Sequence, residues 1–368
     1  MEFIVAPFII ALLASVLALI ISLLDKKVNN YGDVEININS GKKVLDVKGG
    51  DKLLTTLSSQ GIFIPSACGG KGSCGACKCE VLTDVGPVLP TEKPYLSAEE
   101  IDKNIRLSCQ IKVKKNLDLF IPEELFNAKE FSGIVEEIND LTYDIKEVIV
   151  SIGEESIEFV SGRYIQLVVP PYGKIKESTQ RAYSISSKPS EKNKVAMLIR
   201  LIPGGIATTW VHNYMKVGEK LKLIGPFGDF EKSDSKSTMV CIAGGSGMAP
   251  FKSMFHDMLE KGETNREVWY FFGARTKKDL FLLEEFREIE KKWTNFHFIP
   301  ALSAPLPEDN WDGEKGLITD VLDKYLNTKI DPSKHREGFL CGSPGMIGAC
   351  NNILNHNGIK DIFYDNFS

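Results

Sequence analysis

Four of the chain's eight cysteines, Cys68, Cys74, Cys77 and Cys79, fall within a dozen residues, and Cys109 follows in Leu107-Ser-Cys-Gln110. Thiols crowded this tightly either oxidise to disulfides or bind a metal, and each outcome leaves few folds open. The segment reads Ser66-Ala-Cys-Gly-Gly-Lys-Gly-Ser-Cys-Gly-Ala-Cys77. Its glycines and small residues let the backbone wind closely round an inorganic core, with amide N–H groups available to sulfur. Thiolates at Cys68, Cys74 and Cys77 with a distant fourth at Cys109 fit the four-cysteine ligation of a 2Fe–2S cluster. The C-x5-C-x2-C spacing is one residue longer than the plant-type pattern. Four thiolates also suit tetrahedral zinc. Zinc ribbons usually pair two C-x2-C knuckles, however, and only one is present, so the glycine-rich loop favours iron–sulfur. Cys79 reads as an ordinary buried thiol.

Compartment bears on that choice. The 22 residues from Phe3 to Leu24 are uncharged and apolar, and Asp25-Lys26-Lys27 ends them. At about 1.5 Å per residue such a helix crosses a hydrocarbon core of about 30 Å. No basic stretch precedes it and no clean cleavage site follows, as a secretory signal would require. Residues 1–25 are therefore expected to be a transmembrane anchor. Lys26 and Lys27 put everything beyond residue 25 in the cytoplasm. Structural disulfides are not kept there, so the crowded thiols point to metal or redox chemistry. The net charge of −5 argues against nucleic acid as a partner. With 368 residues, 43% of them apolar, two to three globular domains are expected.

Around the cysteines, Val34-Glu-Ile-Asn-Ile-Asn39 and Lys43-Val-Leu-Asp-Val47 alternate apolar and polar residues, with Ser40-Gly41 as the turn between them. A short helix is expected from Lys52 to Ser59. Residues 33–125 resemble a β-grasp ferredoxin domain of α+β class.

Residues 126–232 read as short strands: Glu147–Ser151, Tyr164–Val169, Val195–Leu201 and Lys220–Ile224. Short strands with regular turns and few helices predict an antiparallel β-barrel. Within it stands Arg181-Ala182-Tyr183-Ser184-Ile-Ser186. Arg181 can pair with a pyrophosphate, Tyr183 can lie along a flavin ring, and Ser184 can hydrogen-bond near its N5. Pro203-Gly-Gly205-Ile-Ala207-Thr208-Thr209 then opens a helix whose N-terminus makes a phosphate cradle. Gly225-Pro-Phe-Gly-Asp-Phe230 closes the segment. This order resembles the ferredoxin–NADP⁺ reductase superfamily. The resemblance implies FAD in the barrel, held by Arg181, Ala182, Tyr183, Ser184, Gly205, Ala207, Thr208 and Thr209.

Residues 233–368 alternate strand and helix, predicting a Rossmann-like α/β domain. Met239–Ala243 is a strand, Gly244-Gly245-Ser-Gly247-Met248-Ala249-Pro250 a glycine turn, and Phe251–Glu260 a helix. That geometry puts a pyrophosphate on the helix N-terminus. Further strands, Glu267–Phe272, Phe296–Ala301 and Gly338–Cys341, place Ala274, Arg275, Ser303 and Cys341 at carboxyl ends, where such sheets bind ligands. Cys341-Gly342-Ser-Pro344-Gly-Met346 resembles the superfamily's nicotinamide-facing turn, which implies that Cys341 lies beside the hydride path. The same resemblance makes Phe367 the aromatic cover of the flavin. Ser184, Cys341 and Phe367 are thus the expected catalytic residues.

A ferredoxin domain fused ahead of a flavin reductase occurs in oxygenase reductase components and in the F subunit of the sodium-translocating NADH:quinone reductase. The chain resembles the second family more, through its anchor, its C-x5-C-x2-C loop, Pro122-Glu-Glu-Leu-Phe126, Gly273-Ala-Arg-Thr-Lys277, Ala301-Leu-Ser303 and Pro307-Glu-Asp-Asn-Trp311 followed by Gly313. Two departures are the short stretch between Pro170 and Arg181 and a final Ser368 in place of Gly. The resemblance implies NADH as donor, FAD and a 2Fe–2S cluster as carriers, and other membrane subunits as partners. Quinone would be reached only through those partners, at an inner membrane. An NADH-dependent reductase for an oxygenase or another membrane acceptor is the alternative. Lys277 and Lys278, near the expected ribose site, leave a 2′-phosphate open on charge alone.

Overall fold

The computed structural model describes residues 12–19 and 31–366. Residues 12–19 are helical with exposed side chains. The rest of Phe3–Leu24, and with it most of the expected anchor, lies outside the described residues, as does Phe367. Among the described residues no helix is long and apolar enough to cross a membrane. The chain divides into two compact units, Met1–Phe126 and Asn127–Ser368.

In the first unit, β1 (Asp33–Ile38), β2 (Lys43–Lys48), β3 (Lys78–Val81), β4 (Ile105–Leu107) and β5 (Leu117–Phe120) form a sheet of order β2-β1-β5-β3-β4. Val34, Ile36 and Ile38 alternate with Asp33, Glu35 and Asn37, so one face of β1 enters the core and the other meets solvent. The β1–β2 hairpin turns through Asn39, Ser40 and Gly41, all at positive φ, one residue more than Ser40-Gly41. β1 and β5 run parallel and the other pairs antiparallel. The helix Leu53–Ser59 buries Leu53, Thr56 and Leu57 against this core.

The second unit contains two sheets. β6 (Lys129–Asp140), β7 (Ile145–Ser151), β8 (Tyr164–Val169), β9 (Thr179–Ser184), β10 (Lys194–Arg200) and β11 (Lys220–Phe227) pair antiparallel in the order β10-β7-β6-β11-β8-β9. The edges β9 and β10 approach at the Ile185–Met197 bridge, curling the sheet round Val148, Val150, Ile165, Leu167 and Ile199. The helix Ile206–Asn213 sends Ala207, Trp210 and Val211 into the same core.

β12 (Thr238–Gly244), β13 (Val268–Ala274), β14 (Phe296–Leu302), β15 (Glu314–Lys315), β16 (Arg336–Gly342) and β17 (Ile362–Asn366) form a parallel sheet of order β15-β14-β13-β12-β16-β17. Met239, Cys241 and Ala243 of β12 pack with the helices Met248–Glu260 and Leu283–Lys292. Val240 and Ile242 pack with the helices Ile318–Thr328 and Pro344–His356 on the other face. Burial on both faces is why β12 reads as an unbroken apolar run.

The barrel and the parallel sheet, expected as domains 126–232 and 233–368, lie in one compact unit. The connecting segment is fastened down: Arg266 donates to Ser233 O and Ser237 O, both at 2.8 Å, and pairs with the buried Glu337 at 2.6 Å. Lys252 Nζ reaches Glu147 Oε1 at 2.6 Å and Ser253 Oγ reaches Ser187 O at 2.6 Å, joining helix to barrel.

Candidate functional site

The cysteine loop takes its shape from glycine. Gly69, Gly70, Gly72 and Gly75 hold φ of 64°, 79°, 75° and 68°, a region that costs other residues about 1–2 kcal/mol each. A Cβ on Gly75 would stand 2.8 Å from the Tyr95 ring, and one on Gly72 would stand 2.5 Å from Gln110 Nε2. Gly70 N donates to Ser66 Oγ at 2.8 Å, and Cys77 O accepts from Ser108 N at 2.8 Å. The second contact ties Cys109 to the loop.

The four predicted thiols come together as two pairs. Cys74 Sγ donates to Cys68 Sγ at 3.4 Å, and Cys77 donates to Cys109. The bond from Cys74 lowers Cys68 to about 3, and the bond from Cys77, aided by the Gln110 amide, lowers Cys109 to about 6. The same bonds, with burial, push Cys74 and Cys77 up. Among the described residues no three His, Cys, Asp or Glu side chains converge where one ion could sit. Two thiol pairs suit two irons with two thiolates each, and do not suit a single tetrahedral zinc. Cys79 is buried in the core, its thiol pushed up to about 12 by burial, and stands outside the set.

In the second unit, Arg181 turns Nη1 onto Gln180 O at 2.7 Å and Thr179 Oγ1 at 3.0 Å, which fixes the guanidinium beside β9. Tyr183 is half-buried, and burial pushes its hydroxyl up. The candidate phosphate loop has a fixed shape: Gly204 has φ 74°, and Gly205 caps the helix Ile206–Asn213. A Cβ on Gly205 would meet Thr208 Oγ1 at 2.6 Å. Thr208 accepts from Ile202 N at 3.1 Å and is buried, so its hydroxyl holds the loop in shape. Thr209 lines a cavity of about 680 Å³ together with Tyr143, Asp144, Arg200, Ile202 and Gly204. Pinned by Asp144 at 2.7 Å, Arg200 also lies 3.2 Å from where a Cβ on Gly245 would stand. Its cation therefore borders both glycine turns, a placement the sequence did not suggest.

At the nucleotide sheet, Gly244 ends β12, and Gly245 and Gly247 lead into the helix Met248–Glu260, whose first turn holds Met248, Ala249 and Pro250. A Cβ on Gly247 would lie 2.3 Å from Cys341 O, so only glycine lets this turn approach β16. Gly342 has φ 151° beneath Met346, and Pro344 opens the helix Pro344–His356. Ala274 is half-buried, and Arg275 and Ser303 are exposed. Ser303 N donates to Ala274 O at 3.0 Å, joining the two strand-end loops. All these residues lie at carboxyl ends, beside helix N-termini suited to anions.

The barrel and nucleotide residues of the site meet where Ser184 Oγ donates to Asp365 Oδ2 at 3.0 Å. Asp365 stands in register with the fully buried Cys341. Burial, reinforced by Asp229, raises the Asp365 carboxyl, and the Ser184 bond opposes that rise. Burial and then Asp365 push the Cys341 thiol up, so it is a neutral neighbour rather than a nucleophile. Sequence reading missed Asp365; a lone acid in the apolar run Ile362-Phe-Tyr-Asp365 was the available signal. It also missed Asp279, just beyond β13, whose carboxylate accepts from Thr276 N at 2.8 Å and from Tyr143 OH at 3.0 Å.

Comparison with known proteins gives each of these regions a family. Residues 36–114 match the 2Fe-2S iron-sulfur cluster binding domain family, 132–232 the oxidoreductase FAD-binding domain and 241–352 the oxidoreductase NAD-binding domain. Over 406 residues, covering all of both chains, the sequence is 35% identical to the Na(+)-translocating NADH-quinone reductase F subunit of Neisseria meningitidis. This chain belongs to the family of NADH-quinone reductase F subunits. A second member, from Mannheimia succiniciproducens, is 36% identical over 96% of this chain and 95% of its own. Among solved structures, the cytochrome P450 reductase of Amycolatopsis superposes with a TM-score of 0.71 at 27% identity, over 91% of this chain and 98% of its own. The ferredoxin reductase of carbazole 1,9a-dioxygenase, at 24% identity, TM-score 0.68 and 92% and 99% coverage, shares the fold. In this member of the F-type reductase chains, then, cluster, FAD and NAD each have a matching domain in the expected order.

Proposed function

We propose that the chain is the electron-input subunit of a membrane Na⁺-translocating NADH:quinone oxidoreductase. The observation that carries this is the presence, on one chain, of two pairs of thiols for a cluster and a strand-end site where Ser184 meets Asp365 beside Cys341. Bound in the barrel, FAD would supply two-electron hydride chemistry toward NADH and one-electron chemistry toward a 2Fe–2S cluster held by the paired thiols. The protein's part is placement. Gly205 and the helix it caps, with Arg181, would receive the flavin's pyrophosphate, and Tyr183 would lie along its ring. Gly244, Gly245 and Gly247 would receive the nicotinamide dinucleotide, with Cys341 keeping its reactive end dry. Ser184, fixed by Asp365, would address N5. Preference for NADH rests on the likeness to NADH-quinone reductase F subunits. Phe367 would cover the flavin.

Single electrons would pass from the cluster to membrane partner subunits, and through them to quinone. The apolar run Phe3–Leu24 would anchor the chain once in the inner membrane with its bulk in the cytoplasm. One uncharged helix offers no ion path, so sodium movement would belong to those partners.

Anaerobic NADH titration of the purified full chain tests the core of this reading. Bleaching of the flavin band, followed by the electron paramagnetic resonance signal of a reduced cluster, is expected; a flavin that stays oxidised overturns it. Removing residues 1–25 is expected to release the chain from membranes with NADH-to-dye activity retained, and continued sedimentation with membranes would refute the anchor.

A further inference from the structure

The two segments that carry the four candidate cluster thiols contain no acid. Residues 52–79 hold Lys52, Lys71 and Lys78, and residues 103–117 hold five cations from Lys103 to Lys115, with neither Asp nor Glu in either. Acids stop at their edges, at Asp51, Glu80, Asp102 and Asp118. Two of the cations are used within the unit, since Lys78 pairs with Glu100 and Arg106 with the buried Glu92, both at 2.6 Å. Lys52 and Lys71 are exposed at the thiol loop itself. Lys52 Nζ reaches Gly70 O at 3.4 Å, and Lys71 is the next residue along. Lys112, also exposed, faces Lys52 across an antiparallel bridge. The same loop is the thin side of the site. Cys68, Cys77 and Cys109 are buried, Cys74 is half-buried, and residues 69–73 between Cys68 and Cys74 are each exposed or half-buried. An electron leaving the thiols through the least protein therefore emerges beside Lys52 and Lys71.

We propose that this basic loop docks an acidic face of the membrane subunit that accepts the cluster's electrons. The inference rests on a cluster occupying these thiols and on membrane partners receiving its electrons. On a chain of net charge −5, keeping carboxylates out of both ligand segments leaves a positive spot on a largely negative surface. Such a spot orients an acidic partner as well as attracting it, because the rest of the surface repels the same face. Exposed charges act over a Debye length of about 10 Å at 0.1 M salt, so the docking weakens as salt is added. The competing explanation is local: the lysines only offset the negative charge of a four-thiolate cluster, which would move its potential and leave the partner indifferent to them.

The test is the rate at which quinone reoxidises the NADH-reduced cluster in the whole complex. The complex is reconstituted with the full chain in phosphatidylcholine vesicles, at fixed sodium and rising potassium chloride. The wild-type rate is expected to fall as salt rises. Lys52→Glu with Lys71→Glu should lower the low-salt rate about tenfold and invert the salt dependence, with NADH bleaching of the flavin retained. Lys52→Gln with Lys71→Gln should flatten the dependence, and carries the test if the charge-reversed pair takes up no cluster. A wild-type rate indifferent to salt overturns the proposal. So do variants that keep the wild-type salt curve and shift only the cluster's midpoint potential, the mark of local charge balance. A salt dependence that appears only when anionic phosphatidylglycerol replaces phosphatidylcholine overturns it as well, because the loop then meets lipid. Wild-type chain with no cluster absorbance, or a complex that reduces no quinone, defeats the underlying reading instead, so the two failures are distinguishable.

Discussion

Three of the four candidate cluster thiols sit within ten residues, on a loop whose turns are its own glycines. Ser184 and Asp365, by contrast, meet across 181 positions of sequence. The thiol loop needs only its local backbone to bring sulfur near sulfur, with Ser108 and Cys77 O tying in the distant Cys109. The candidate flavin and nucleotide site needs the whole second unit. A barrel strand must pack against the edge of a parallel sheet before hydroxyl and carboxylate can touch. A site built locally should therefore fail locally, and a site built by topology should fail with its packing.

The largest expected effect tests that separation. Cys68→Ala removes half of one thiol pair and should abolish the cluster absorbance entirely. NADH reduction of the flavin, followed by its bleaching, should keep its wild-type rate. Loss of both activities in this variant would show that the two sites are not independently built.

Arg106→Met probes the frame under the thiol loop. Arg106 Nη2 meets Glu92 Oε2 at 2.6 Å with both side chains buried, and Glu92 Oε1 also accepts from Leu107 N at 3.0 Å. Burial works to raise the Glu92 carboxyl, but Arg106 and the N–H groups of Leu89 and Leu107 hold it below the ordinary range. Removing one partner of such a pair costs about 3–5 kcal/mol. Chemical denaturation followed by cluster absorbance should show that loss, while flavin fluorescence reports an unshifted second unit. A loss under about 1 kcal/mol would mean that the pair is solvated and not part of the frame.

Gly247→Ala makes the corresponding change in the second unit. The added Cβ cannot coexist with Cys341 O at 2.3 Å, so the helix start must move away from β16. A displacement of about 1 Å at a reacting centre can cost roughly a hundredfold in rate. Stopped-flow flavin reduction by NADH should slow accordingly with the cluster spectrum intact. An unchanged rate would show that the turn yields without disturbing the site.

The same contrast explains what could be read from the chain beforehand. Cys68, Cys74, Cys77 and Cys109 were legible because spacing and glycine content are properties of a short segment. The alternation in β1 and the apolar runs of β8 and β12 announced their strands for the same reason. Asp365 was not legible, because an acid so near the end looks like ordinary solvated terminus until β17 is known to pair with β16. Thr208 reads as part of a phosphate cradle from the Gly-rich loop and helix start, and the structure adds that its hydroxyl accepts from Ile202 N, a bond that no spacing rule supplies. Arg200 escaped notice as one more strand-end cation. Only the packing of barrel against sheet brings it to Gly245.

Asp365→Asn gives the smallest effect and the sharpest test of the long-range site. Burial, and then Asp229, raise the Asp365 carboxyl above its ordinary value of 3.8. The folded chain therefore keeps this proton to higher pH than the unfolded chain does. Between the two values the folded state binds more protons, so stability falls as pH rises through that window and stays lower above it. Asparagine carries no charge and retains an oxygen to accept from Ser184 Oγ. D365N should accordingly melt higher than wild type at neutral pH, by a shift on the order of a few °C. The advantage should shrink as pH falls through the window and vanish below the ordinary aspartate range. A shift that persists unchanged in acid would mean that Asp365 is not raised by its surroundings, and that the contact with Ser184 forms without any cost in burying charge.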